Sequence, residues 1–153
     1  MNTTAGTRFA AAHTTLTAAH HIGDYVLQRD ADAAAKGKHG PDGALACARH
    51  VLSYAAGQAL ALWAADRYLG LGLNRRRAAV GLLVSGATHY AIDRCATHWP
   101  EDDDQAPLLV RAAHKIGKGT WLQRDPSAPA LLDQALHHGC IAVAAAVAAG
   151  RPD

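Results

Sequence analysis

The sequence predicts an all-α fold: a single-domain bundle of four long helices plus one short helix, with an irregular loop before the last helix. Three observations lead there. Half of the 153 residues are hydrophobic but only 5% are aromatic, so the apolar content is mostly alanine and leucine, which favour helix. Alternating β-branched runs of the kind that make strands are absent. Clusters of glycine, proline and polar residues punctuate the apolar stretches at helix-length intervals. The length suits one domain, residues 1–153, with a core of useful size.

The first helix is expected over residues 8–29 and the second over residues 45–68, separated by the turn chemistry of Lys36-Gly37-Lys38-His39-Gly40-Pro41-Asp42-Gly43. Gly70-Leu71-Gly72-Leu73-Asn74 ends the second helix and caps the third, residues 75–95. After the polar break at residues 100–104 comes a short helix, residues 106–116. GKGTWLQRDPSAPA is the least regular stretch, and residues 128–149 form the last helix.

The formal charge of +2 is dispersed, with local runs only at residues 74–77 and 101–104, so no nucleic-acid duplex partner is expected. Cys47, Cys95 and Cys140 are odd in number and form no C-x-x-C, as in a reduced cytoplasmic chain. No signal peptide is read at the N-terminus, and the uncharged runs at residues 51–65 and 78–92 fall short of a bilayer span, so no transmembrane segment is expected. The alanine and arginine bias suggests a GC-rich bacterial genome. A homo-oligomer is compatible with all of this.

The chemistry lies in the histidines and aspartates. His20 and Asp24, His89 and Asp93, and Asp133 and His137 each stand four apart, a spacing that puts both side chains on one helix face. His50 supplies an imidazole from the remaining long helix. A single such pair is usually an ion pair or a satisfied hydrogen bond. Three pairs and a fourth histidine on four helices converge more naturally on a bundle core, where helix-borne ligands meet.

Imidazole with carboxylate is a donor set for one or two divalent transition metal ions, with zinc, manganese or iron foremost. His21 and His138 double two of the histidines, and four-apart spacing favours His20 and His137 without excluding the neighbours. Gln28 and Gln134 are candidates to orient a water or a ligand imidazole from behind. Lys118, between two glycines, and Arg94, beside Asp93, are candidates to meet an anionic substrate, with Asp93 as base or bridging ligand. The plainer readings are a helix-capping glycine with an exposed lysine, and a solvated arginine.

"AHHIGDYVLQ" with "KG" after it, "CARHVLSY", "GLLVSGATHYAIDR", "GKG" before an aromatic residue, and "LLDQALHH" run in order over nearly the whole chain. Together they resemble the bacterial family called domain of unknown function 3307. The resemblance implies that His20, Asp24, Gln28, His50, His89, Asp93, Lys118, Asp133, Gln134 and His137 are motif positions. Some relatives are more hydrophobic and look membrane-associated, whereas the uncharged runs counted here are shorter. The pattern is also similar, by analogy, to helical histidine-aspartate metal-dependent phosphohydrolases, although the adjacent His-Asp pair of those enzymes is absent.

The expected function is a metal-dependent hydrolase of a small anionic phosphoester or nucleotide-like substrate. The alternative is a non-enzymatic metal- or ligand-binding helical protein with a structural polar core.

Overall fold

In a computed structural model, which describes residues 3–150, the chain is helical and contains no strand among those residues. Four long helices dominate: α1 (Ala5–Ile22), α3 (Gly40–Leu69), α4 (Arg75–Asp93) and α7 (Ala128–Ala149). Three short ones join them: α2 (Asp30–Ala35), α5 (Leu108–Ala113) and α6 (Gly119–Arg124).

Local chemistry sets most of the boundaries. Thr4 caps α1 by accepting from the Thr7 amide, and Asn74 caps α4 by accepting from Arg76 and Arg77. Gly70, left-handed at φ 62°, closes α3. Pro41 and Asp42 in the first turn start α3 at Gly40, five residues before the apolar periodicity begins.

The first helix departs from expectation near its end. The α-helix stops at Ile22 and continues as one wider π-turn over Gly23–Leu27, after which Gln28 is extended. Gly23 is buried against Tyr54, where an added Cβ would lie 3.0 Å from the ring. Residues 114–118 form a second π-turn, kinked at Gly117 (φ 88°), which joins α5 to α6. The stretch expected to be irregular therefore contains a helix of its own.

α7 packs on α4 and α1, and α1 and α4 both pack on α3. One apolar cluster is built from Ala12, Leu16, Leu62, Ile141, Ala144, Ala145 and Ala148, and another from Ile92, Cys95, Trp99, Val110, Leu122 and Ala128 with their neighbours. Along α7, His137 lies between Ala128 of one cluster and Ile141 of the other, so a polar layer is sandwiched between two dry ones. α7 is long and apolar enough to cross a membrane by length and composition, with mean hydropathy 1.3 over its most apolar window. Its uncharged stretch is longer than those at residues 51–65 and 78–92, on which the expectation of no transmembrane segment rests.

Helices α4 and α7 approach closely at Gly81, where a Cβ would lie 2.6 Å from the Ala144 carbonyl oxygen and 3.1 Å from the Ala148 Cβ. Replacing Gly81 with valine should force the helices apart and destabilise the protein by about 1–3 kcal/mol, as overpacking does. Urea unfolding checks this, and an unchanged midpoint would show that the contact is not tight.

Candidate metal centre

The polar layer gathers His20 and Asp24 from α1 and the turn after it, His50 from α3, His89 and Asp93 from α4, and Asp133 and His137 from α7. His20, His50, His89, Asp93 and His137 are almost inaccessible to solvent. Among the side chains, Asp24 is 7% exposed and Asp133 17%. The seven residues singled out by spacing stand together at the centre of the bundle.

Four of their atoms form a compact set. His50 Nε2 lies 2.9 Å from His89 Nε2. Asp24 Oδ1 is 3.3 Å from His50 Nε2 and 3.4 Å from His89 Nε2, and Asp93 Oδ2 is 3.4 Å and 3.3 Å from the same two nitrogens. Five of the distances among these four atoms thus fall between 2.9 and 3.4 Å. Donors held about 2.0–2.1 Å from one metal ion would be separated by about 2.9–3.4 Å, in octahedral or tetrahedral geometry respectively. Asp24 Oδ1 and Asp93 Oδ2 are buried and have no hydrogen-bond partner. Orphaned buried carboxylate oxygens are costly, and a cation between them removes the cost.

Asp93 also faces the other way. Its Oδ1 accepts from Lys36 Nζ at 2.9 Å and lies 3.5 Å from His137 Nε2. His137 Nε2 is 3.3 Å from Asp133 Oδ2, and the Trp99 indole donates to Asp133 Oδ1 at 3.4 Å. One carboxylate therefore links the four-donor set to a second group made of Lys36, His137 and Asp133.

Packing against rings orients the imidazoles. Tyr54 stacks on His89 with centroids 3.9 Å apart and meets His20 edge-on at 5.8 Å. The Tyr54 hydroxyl is hydrogen-bonded to Ser85 at 2.8 Å, Ser85 donates to Gln58 Oε1 at 2.7 Å, and the Gln58 amide donates to the Leu16 carbonyl at 3.1 Å. His20 Nε2 is paired with Gln134 Oε1 at 3.1 Å, which makes that nitrogen the N–H donor.

The charges respond to this environment. Burial opposes ionisation of Asp93, but the His137 and His89 imidazoles and the Lys36 ammonium outweigh it and hold the carboxyl well below the usual carboxylate range. Asp24 is likewise held down against burial, chiefly by His50 and His89. Burial would lower His137, yet the Asp133 and Asp93 carboxylates raise it to about 9. Burial dominates at His20, lowering it to about 4, and also lowers His89. Burial raises Cys47 to about 12 and Cys95 to about 11, so both stay thiols.

Two expected substrate-facing cations are placed elsewhere. Lys118 is exposed, with its ammonium 5.8 Å from the Trp121 ring centroid, because the Gly117 kink turns that segment along the surface. Arg94 turns back and donates to the Lys36 carbonyl, so it braces the chain beside the centre. Gln28 follows the π-turn in extended conformation, which breaks the helical face it was expected to share with His20 and Asp24.

Lys36 is the cation that spacing did not single out. It directly follows α2, which Asp32 ties to α3 through Arg49, and Gly37 passes so close to Thr97 that a Cβ would lie 2.6 Å from its hydroxyl. The His98 imidazole bonds the Gly37 carbonyl at 2.7 Å and completes the brace. The sequence signal was the Lys-Gly pair after an acidic, alanine-rich helix start, Asp30-Ala31-Asp32.

The titrations fix a pH dependence. His137, raised on folding, contributes stability that is fully present below pH 6.5 and lost as pH rises through about 9. His20 and His89, lowered on folding, cost stability as pH falls below 6.5. Asp24 and Asp93, lowered below 3.8, add to the loss in acid. Metal-free protein should therefore be most stable near pH 6.5 and weaken in both directions. Urea midpoints across the range test this, and stability still rising toward pH 9 would contradict it.

Comparison with known proteins gives one result. The sequence profile of a family described only as a protein of unknown function, DUF3307, matches residues 13–151. No curated protein and no solved structure matches. The match takes in every residue of the polar layer, and the chain belongs to the DUF3307 family.

Proposed function

We propose that the protein is a metal-dependent hydrolase of phosphoester or nucleotide-like substrates, built on one or two divalent transition metal ions. The observation that carries the reading is the four-donor set of Asp24, His50, His89 and Asp93, with ligand-like spacing and two orphaned carboxylate oxygens. A bound zinc, manganese or iron ion would lower the pKa of a coordinated water and polarise the scissile group.

The chain's own residues would do the rest. Lys36, with its side chain 13% exposed, stands at the edge of the centre where a substrate's negative charge can meet it. His137, whose Nε2 lies between Asp133 and Asp93, is placed to donate a proton to the leaving oxygen, with Asp133 orienting it. Asp93 joins the ligand set to this acid group and keeps them in register. Arg94 positions Lys36 from behind by donating to its carbonyl.

A second reading has an observation of its own. The centre is closed, and an open cleft of about 750 Å³ lies elsewhere, lined by residues such as Asp102, Arg111 and Lys115. Closed sites are the pattern of structural metal centres, so a non-enzymatic metal-binding helical protein is the alternative. A cytoplasmic location goes with either reading.

Phosphomonoesters, phosphodiesters and nucleotides offered to zinc-, manganese- and iron-loaded protein separate the two. The hydrolase reading expects turnover that Asp93→Asn removes, with metal binding lost as well. Lys36→Met should keep the metal but lower kcat/KM by about 10–100-fold, roughly 1.4–2.8 kcal/mol of transition-state binding. Metal-loaded protein that hydrolyses none of these probes leaves the structural reading.

A further inference from the structure

His20 and His21 on α1 face His137 and His138 on α7, and the members of each doublet turn to different sides. His137 joins Asp93 and Asp133. His21 and His138 lie on the outer side of His20, partly exposed. One nitrogen from each of His20, His21 and His138 lies within 4.8 Å of the other two.

The ring spacing is close to what a three-imidazole site requires, with His20–His138 slightly wide. The centroids of His20 and His21 are 5.3 Å apart, those of His20 and His138 5.7 Å, and those of His21 and His138 5.2 Å. An ion about 2.0–2.1 Å from one nitrogen of each ring would set the centroids about 5.2–5.6 Å apart for tetrahedral to trigonal angles. His138 Nε2 and His20 Nδ1 are buried and have no hydrogen-bond partner. Because His20 Nε2 donates to Gln134, the lone pair of that ring is on Nδ1, the nitrogen left without a partner.

We propose that His20, His21 and His138 hold a divalent transition metal ion of their own, outside the four-donor centre. An all-imidazole set without carboxylate selects borderline ions such as zinc, nickel or copper(II) over manganese, magnesium or calcium. The site needs no substrate and does not depend on hydrolysis. It lies nearer the surface than the closed centre and, through His20 and Asp24 3.6 Å apart, adjoins it. Its role is to take up metal and pass it inward.

Zinc and nickel titrations monitored by calorimetry, with metal content measured after gel filtration, test the proposal on full-length wild type and the His21→Ala/His138→Ala variant. The variant should bind one equivalent fewer than wild type, keep the equivalent held by Asp24, His50, His89 and Asp93, and fill it more slowly. Wild type alone gives an independent readout: zinc should protect His21 and His138 from acylation by diethyl pyrocarbonate, mapped by mass spectrometry. Unchanged stoichiometry in the variant, or no protection of either histidine in wild type, would overturn it. Absence of turnover in wild type that binds the extra equivalent would count against the hydrolase and leave this site standing.

Discussion

The structure depends on keeping the Asp93 carboxylate charged at the centre of a helical bundle. An ionised carboxyl with almost no solvent contact is tolerable only if every face of it is answered. Lys36 answers one oxygen, and His50 and His89 approach the other without hydrogen-bonding it. With His137 of α7 also beside the first oxygen, the partners come from several elements, so α3, α4, α7 and the end of α2 are held in register around one functional group. Three carboxylates share the layer with the Lys36 ammonium and the His137 imidazolium, which leaves it net negative before any ion is considered.

That constraint explains features otherwise unrelated to the centre. The π-turn after α1 allows Gly23 to pass against Tyr54 while Asp24 faces inward. The Ser85, Gln58 and Leu16 chain behind Tyr54 fixes the ring that stacks on His89. Asp32 with Arg49, Arg94 with the Lys36 carbonyl, and His98 with the Gly37 carbonyl all serve to hold one ammonium beside Asp93. Apolar clusters on either side keep bulk water away, so the electrostatic interactions in the layer are stronger than they would be in water.

Much of this was legible in the sequence because helical spacing is rigid. Four-apart histidine and aspartate must share a face, and four such helices in a small bundle leave one interior for those faces to meet in. His20, Asp24, His50, His89, Asp93, Asp133 and His137 were found that way. Lys36 was not, since it reaches the centre from a loop whose path is set by tertiary contacts to Thr97, Arg94 and His98. Lys118 lies away from the layer for the converse reason: its flanking glycines suggested a ligand-holding loop beside it, while Gly117 makes a kink on the surface. Helix α2 and the early start of α3 carried local signals, acidic first turns and Pro41, in a stretch whose glycines read as loop.

The central claim is that the buried layer exists to hold metal. Elemental analysis of protein purified without added metal or chelator, combined with X-ray absorption at the edge of whichever metal is found, tests it most directly. The account predicts at least one transition metal ion per chain, with mixed nitrogen and oxygen ligands about 2.0–2.2 Å away. Protein that is metal-free, folded, and fails to retain zinc, manganese or iron after reconstitution would contradict it.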